Sequence, residues 1–216
     1  MSPYTIRHVV SLNAEELEIA VDLTVKAYDD MLVVRAMVGD DKNLVDPLFR
    51  SMIRAANLAG IIDLACDVSD SDKIVGMAVW FEPGKSLFAD AEQRELGLNE
   101  FMDKLSPETR QWWEKTYGPK TSELLTTALG PTGALDSWWT PHIAVDEKYR
   151  RRGIGTMLLD EAHKRAVQSG TITALLTTTD SNESFYEEVG FITKGRMSVD
   201  SPQGPIAYRV MSRSSS

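Results

Sequence analysis

Hydrophobic positions along the chain follow two periods, and the changes of period divide it into strands and helices. Tyr4 to Val10 reads as a strand, and Asn13 with Glu16 resembles a capping box that opens a helix. Leu17, Ala20, Val21, Thr24 and Tyr28 recur at helical spacing, so one face of this helix packs on a sheet. Asp46-Pro47 reads as the N-cap and first residue of a second helix, in which Leu48, Phe49, Met52, Ile53 and Ala56 keep the same period until a stop near Gly60. Ile61 to Val68 and Lys73 to Phe81 are strand-like runs on either side of Ser69-Asp70-Ser71-Asp72, a turn composition that predicts an antiparallel hairpin ended by Glu82-Pro83-Gly84.

Residues 86–136 are less regular and read as helical pieces, starting again at Ser106-Pro107 and breaking at Gly130-Pro131-Thr132-Gly133. Trp112, Trp113 and Tyr117 lie in this excursion, which reads either as a cover for substrate or as a satellite helical layer with ordinary core aromatics. The stretch WWTPHIAVDEKYRRRGIGT, from Trp138 to Thr156, then combines a buried strand through Ile143, Ala144 and Val145, a charged turn, and a glycine pair that opens a helix. Ile154, Met157, Leu158, Ala162 and Arg165 mark one face of that helix, which ends at Gly170. Ile172 to Thr179 is a β-branched strand, and Ser181-Asn182 caps a short helix carrying Phe185 and Tyr186 that closes at Gly190 before Phe191. Two last strands, Ile192 to Val199 and Pro205 to Met211, flank Ser201-Pro202-Gln203-Gly204, and the tail at 214–216 is expected to be disordered.

Length and composition narrow the possibilities. The 216 residues fit one domain, and 43% hydrophobic with 25% charged residues is an ordinary globular composition with enough apolar surface for a sizeable core. A net charge of −9 argues against general nucleic-acid binding and would suit a cationic substrate. Cys66 is the only cysteine, so no intrachain disulfide forms and a reducing compartment fits. No run approaches the ~18 apolar residues of a membrane helix and no signal-peptide core is visible, so a cytoplasmic protein with no membrane partner is expected, as monomer or homodimer and without a metal.

Against that acidic background, Arg150, Arg151 and Arg152 stand immediately before Gly153-Ile154-Gly155. A helix start presents unpaired N–H groups and the positive end of the dipole, and glycine lets a phosphate approach the main chain. A dinucleotide turn wants a third glycine and an acid about 20 positions on, and a triphosphate loop wants a lysine before the Ser/Thr. Neither pattern is present here.

Arg150-x-x-Gly153-x-Gly155 between strand and helix resembles the pyrophosphate signature of the GCN5-related N-acetyltransferase (GNAT) family. Ile143-Ala144-Val145-Asp146 is similar to that family's fourth strand, and Asn182-x-x-Phe185-Tyr186-Glu187-x-x-Gly190-Phe191 to its C-terminal motif. The hairpin from Gly204-Pro205 through Met211 and Arg213 is similar to the end of the puromycin N-acetyltransferase group. The likeness covers about 138–213 well, fits the element order of 4–82, and does not extend to 86–136.

The resemblance implies an α/β GNAT fold: a mixed, splayed sheet flanked by helices, with a helical insertion between the third and fourth strands. It implies acetyl-CoA as donor, its pyrophosphate on the main chain of Arg151, Arg152, Gly153, Ile154, Gly155 and Thr156. It places Ile143, Ala144 and Val145 in the cofactor-binding set, the N–H and C=O groups of Ile143 and Val145 meeting the pantetheine arm and the thioester carbonyl. Tyr186 matches the tyrosine proposed to protonate the departing thiolate, for which a phenol with pKa near 10 is suited; otherwise it is one more aromatic under the last strand. Asn182 matches a polar residue near the cofactor, and a plain helix N-cap explains it as well.

The attacking amine is only about 0.1% neutral at pH 7 if its pKa is near 10, so it must lose a proton. The base is left open. Glu82, Asp29 and Asp30 are candidates by position, and Trp138 and Trp139 line the acceptor pocket or belong to the core. Strand alternation puts His142 on the face opposite Trp139, Pro141 and Ile143, as a packed and satisfied histidine. The expected activity is direct acetyl transfer to a small-molecule amine held between the insertion and the first two helices, with no covalent role for Cys66. Two alternatives stay open: a non-catalytic acyl-CoA sensor, and an acyltransferase for protein or peptide amines.

Overall fold

The computed structural model describes residues 2–70 and 72–215, so Ser71 of the predicted hairpin turn and Ser216 of the predicted tail lie outside the described residues. The chain opens with β1 (Tyr4–Val9) and α1 (Ala14–Ala27), where Asn13 and Glu16 make the expected reciprocal capping box. A short helix not predicted by periodicity, α2 (Leu32–Val38), follows; its sequence LVVRAMV has no polar stripe and is rich in valine, which favours strands. α3 (Val45–Ala59) begins behind a 3₁₀ turn capped by Asp41, so Asp46 and Pro47 lie inside its first turn rather than at its edge. Asp46 there pairs with Arg50 at 2.8 Å, and the helix ends at Gly60 as predicted.

β2 (Ile61–Asp67) and β3 (Lys73–Trp80) form the expected antiparallel hairpin. The insertion contains α4 (Ala91–Glu95), α5 (Leu98–Lys104), α6 (Pro107–Trp112) and α7 (Gly118–Leu129), the last two joined through a wider π turn at 113–117. Then come β4 (Ser137–Thr140), β5 (Ile143–Val145), α8 (Ile154–Ser169), β6 (Ile172–Thr177), α9 (Asp180–Glu188), β7 (Ile192–Val199) and β8 (Ile206–Arg213). The cap of α9 is Thr179, whose hydroxyl accepts from the Asn182 N–H at 3.2 Å, so the predicted Ser181-Asn182 cap falls inside the first turn.

The expected splay goes far enough to divide the strands into two four-stranded sheets, β1-β2-β3-β5 and β4-β6-β8-β7. Residues 137–145 cross from one to the other. β4 runs parallel to β6, ending at Thr140 opposite Leu175, whereas β5 lies antiparallel to β3. Between them Pro141 has no N–H to give to either sheet, and the chain bends there. Among the described residues a single isolated bridge, Phe81 to Trp139, ties the sheets at the crossing.

Period-two alternation explains the core of the first sheet. Ile62, Leu64, Met77, Val79 and Phe81 are buried under α1 and α3, whereas Ala65, Ala78 and Trp80 face α8 through Ile154, Leu158 and Ala162. The insertion packs through Trp112 and Leu124 against Val199, Tyr208 and Val210 of the second sheet. Trp112 also donates its indole N–H to the Asp200 carbonyl and Trp113 to that of Met37, which answers the question of the insertion's aromatics for these two: they are anchored core residues.

One charged contact fixes α8 to the first sheet. Asp63 is fully buried on β2, and both its carboxylate oxygens accept from Arg165 at 2.8 Å while His8 Nδ1 approaches at 2.6 Å. Arg165 also lies over the Trp138 ring at 5.6 Å. Removing one partner of a buried pair leaves an uncompensated charge. Arg165→Met is therefore expected to cost about 3–5 kcal/mol in urea unfolding, part of it recovered when Asp63→Asn is added. A loss below about 1 kcal/mol would show that His8 alone holds the carboxylate.

Candidate active site

The bend at Pro141 decides which way the backbone of β5 points. His142 C=O accepts from Val79 N–H at 3.2 Å and Asp146 N–H donates to Val75 C=O at 2.9 Å, so the even-numbered peptides turn toward β3. Strand alternation then turns the N–H and C=O of Ile143 and Val145 away from β3, into the gap left where β4 and β6 part company. Ala144 has its peptide toward β3 and its side chain 1% exposed, so it presents nothing to that gap and drops out of the expected binding set.

The Ile143 peptide does not stand bare. The Tyr28 hydroxyl donates to the Ile143 C=O at 3.2 Å and accepts from the Ile143 N–H at 3.3 Å. Tyr28 is the last residue of the stripe predicted for α1, and its role at the strand could not be read from that stripe. Burial pushes its phenol up to about 12, opposed by the hydrogen bond to Ile143, so it stays protonated across the physiological range.

Beyond Val145 the chain makes the loop that leads to α8. Arg151 and Gly153 adopt left-handed conformations, with φ of 62° and 81°. The first bond inside α8 runs from Met157 N–H to Gly153 C=O at 3.0 Å, and no side chain caps the helix. The N–H groups of Ile154, Gly155 and Thr156 therefore lack intrahelical partners, and no acid occupies the first turn. These features fit a diphosphate.

The side chains of this loop divide by role. Arg150 and Arg151 are exposed, with Arg150 Nε donating to the Val145 C=O at 3.4 Å. Arg152 is committed to the fold: it donates to the Tyr4 hydroxyl at 3.1 Å and the Lys148 C=O at 2.9 Å, and it lies over Tyr149. A Cβ on Gly153 would meet nothing within 4 Å, whereas one on Gly155 would lie 3.0 Å from the Phe185 ring. The first glycine serves the turn, and the second serves the packing of α8 on α9.

A cavity of about 480 Å³, lined in part by Tyr28, lies between α2, α3, the insertion and the second sheet. Tyr28, Phe49, Tyr117, Trp139, Tyr186 and Tyr208 contribute aromatic walls. Asn182 and Tyr186, one helical turn apart on α9, both reach it, as does Trp139. Tyr186 also packs on Phe191 at 5.7 Å between ring centroids, and burial with the neighbouring Tyr28 phenol raises its pKa well above the ordinary range. Trp138 is core, 7% exposed beneath Arg165.

The acids expected by position lie elsewhere. Glu82 is 42% exposed and pairs with Lys85 at 2.7 Å, outside the cavity lining. Asp29 and Asp30 are exposed beside a separate small hollow, where Asp30 pairs with Lys42. Position after an element does not tell which way an exposed acid faces.

His142 also departs from expectation. It is 3% exposed, lines the cavity together with Trp139 and Pro141, and neither ring nitrogen has a partner among the described residues. The bend at Pro141 restarts the alternation, so residues assigned to opposite faces share one wall. Burial, with Tyr28 and Phe49 edge-on to the ring, lowers the imidazole to about 4, so it is neutral at pH 7.

Residues 124–193 match a family model described as an acetyltransferase (GNAT) domain, spanning α7 to the start of β7. No curated protein gives a significant match to the chain. A solved structure from Corynebacterium glutamicum, described as histone acetyltransferase HPA2 and related acetyltransferase, aligns over 99% of this chain and 97% of its own at 19% identity and a TM-score of 0.64. The ribosomal-protein-S18-alanine N-acetyltransferase of Escherichia coli aligns over 99% and 94% at 14% identity and 0.55. A GCN5-related N-acetyltransferase from Rhodopseudomonas palustris aligns over 99% and 97% at 15% identity and 0.55. The fold is the GNAT fold, and residues 124–193 within it match a GNAT acetyltransferase domain.

The buried imidazole makes stability depend on pH. A histidine whose folded pKa lies below its unfolded value binds fewer protons when folded, so its share of stability is complete above pH 6.5 and is lost as pH falls toward 4. That share amounts to roughly 3 kcal/mol. His142→Leu is expected to flatten the fall in thermal midpoint between pH 6.5 and 4.5, and an unchanged slope would assign the acid sensitivity to other groups.

Proposed function

We propose that the chain is an acetyl-CoA-dependent N-acetyltransferase that moves an acetyl group directly to the amine of a small molecule. The observation that carries this reading is one continuous stretch, Ile143 to Thr156, running from a turned-out peptide beside the cavity to a helix start bare of caps and acids. The N–H groups of Ile154, Gly155 and Thr156, with exposed Arg150 and Arg151, would hold the diphosphate. The peptides of Val145 and Ile143 would hold the arm and the thioester carbonyl, with Asn182 beside the arm. Arg152 would serve by fixing the loop against Tyr4.

Acetyl-CoA, when bound, supplies an acetyl group already activated on a thiol leaving group. Over the transfer a nitrogen–carbon bond forms, the carbon–sulfur bond breaks, and the proton lost by the amine ends on the thiol. Tyr186 holds its phenolic proton at neutral pH and can give it to the thiolate, the amine's proton restoring the phenol. Cys66 is buried at 2% exposure on the α1 and α3 side of the first sheet and does not line the cavity, so transfer without a covalent acyl-enzyme fits. The insertion wall, with Tyr117 and Leu125, favours a small acceptor over a peptide, and the likeness of the β8 end to the puromycin N-acetyltransferase group supports the same choice.

Thiol release from acetyl-CoA across an amine panel tests the reading. Tyr186→Phe is expected to lower turnover about ten- to a hundredfold with coenzyme A affinity within about twofold by calorimetry. Equal turnover would remove Tyr186 from the acid role. Coenzyme A binding without thiol release on any amine would favour a sensor.

Tyr28→Phe frees the Ile143 peptide of its internal partner. Acetyl-CoA affinity is expected to rise about three- to tenfold, read by calorimetry. A fall would show that the Tyr28 hydroxyl takes part in holding the donor.

A further inference from the structure

The insertion supplies one wall of the cavity, and a local irregularity sets which side chain it presents there. α6, the π turn at 113–117 and α7 follow one helical path, in which Pro119 has no N–H for the Lys115 carbonyl and its ring would crowd that carbonyl. The wider turn, with the Gly118 N–H on the Trp113 carbonyl, makes room. It also brings Tyr117 against Trp112. Their rings stack at 5.3 Å between centroids and 23° between planes, although residues five apart stand about 140° apart around an α-helix. Trp113 meets the same ring edge-on at 5.0 Å, and Tyr208 of β8 lies 6.2 Å away. Three aromatic neighbours therefore hold the Tyr117 ring in place.

The open side of that ring is in the cavity. Tyr117 is enclosed enough for burial to raise its phenol to about 12, yet part of the residue stays accessible, and it lines the cavity. Its hydroxyl has no hydrogen-bond partner among the described residues and is not shut off from solvent as the Tyr208 hydroxyl is. Thr121 and Thr126 of the same wall have their hydroxyls committed to helix carbonyls at 2.7 and 3.0 Å. The described lining holds no carboxylate, and Lys85, its one lysine, is paired with Glu82. Recognition of a polar group at the insertion end thus falls to a neutral phenol. Tyr28 and Tyr186 neighbour each other toward Ile143, whereas Tyr117 neighbours Tyr208 at the other wall.

We propose that Tyr117 is a specificity-determining residue for the acceptor: its hydroxyl hydrogen-bonds a neutral hydroxyl or carbonyl that the acceptor carries away from its reacting nitrogen. Tyr117 lies outside residues 124–193, so the family match assigns it no role. The proposal rests on the acetyltransferase reading for the fate of the nitrogen, but binding alone decides the part of Tyr117. The insertion selects among acceptors, and the gap between the two sheets serves the transfer.

Straight-chain amino alcohols from aminopropanol to aminooctanol, and the plain alkylamines of the same lengths, are the probes; a flexible series finds the span between nitrogen and hydroxyl by experiment. Affinity by calorimetry with coenzyme A present, and kcat and KM by thiol release from acetyl-CoA, are measured on wild type and Tyr117→Phe. At the best chain length wild type is expected to favour the amino alcohol about three- to tenfold. Tyr117→Phe keeps the aromatic contacts and should bring that ratio near one. The change should fall on affinity and KM for the amino alcohols, with kcat within about twofold. Retained coenzyme A affinity and melting temperature report that the variant is folded. A preference that survives in the variant, or no preference in wild type at any length, overturns the proposal. Absence of thiol release with every probe overturns acetyl transfer instead, and the affinity ratio still decides the part of Tyr117.

Discussion

The site depends on a peptide that its own sheet does not use. β4 pairs with β6 as far as Thr140, Pro141 offers no N–H, and β5 resumes against β3 with Ile143 and Val145 turned outward. In a buried region such groups must find partners or cost free energy. At Ile143 the partner is a side chain, Tyr28, which a ligand can replace; a third strand could not be replaced so cheaply. The division into two sheets and the presence of a reactive gap are thus the same structural event.

The surrounding helices follow from that event. α1 brings Tyr28 to the gap, and its register is set at the far end by the Asn13–Glu16 capping box and along its length by Ala20 and Val21 under the sheet. α8 starts bare at Gly153, and its position is secured by Ile154, Leu158 and Ala162 packed on the sheet and by the Arg165–Asp63 pair rather than by a capping side chain. The helix start is left free of caps because other contacts hold the helix in place. Ile143, the start of α8 and His142 each break a local rule, while the elements that carry them obey the rules closely.

Much of the fold was legible because it rests on local signals. The hairpins, the long helices, the insertion and the strands other than β4 follow from periodicity, caps and turn residues, and the glycine loop followed from its position between strand and helix, whereas the single strand read through 138–145 is two, β4 and β5, in different sheets. What escaped depends on three-dimensional placement. α2 has no stripe to betray it, and Asp46 and Asn182 look like caps until Asp41 is seen to cap the 3₁₀ turn ahead of α3 and Thr179 to cap α9. His142 was assigned a face by an alternation that Pro141 interrupts. Arg152 reads like its two neighbours in sequence and differs only because Tyr4, more than a hundred residues away, meets its guanidinium.

Tyr28 links the two halves of the site. Its hydroxyl bonds both the N–H and the C=O of Ile143, and its ring forms part of the cavity wall beside Phe49 and His142. A carbonyl that takes the Ile143 N–H must take it from this phenol, whose raised pKa means that it leaves as a neutral hydroxyl and needs a new partner. Because the same ring lines the cavity, any such displacement would change the shape of that cavity. On the proposed function, donor and acceptor would meet across the Tyr28 side chain, and their affinities would be coupled to the extent that each prefers the same position of it.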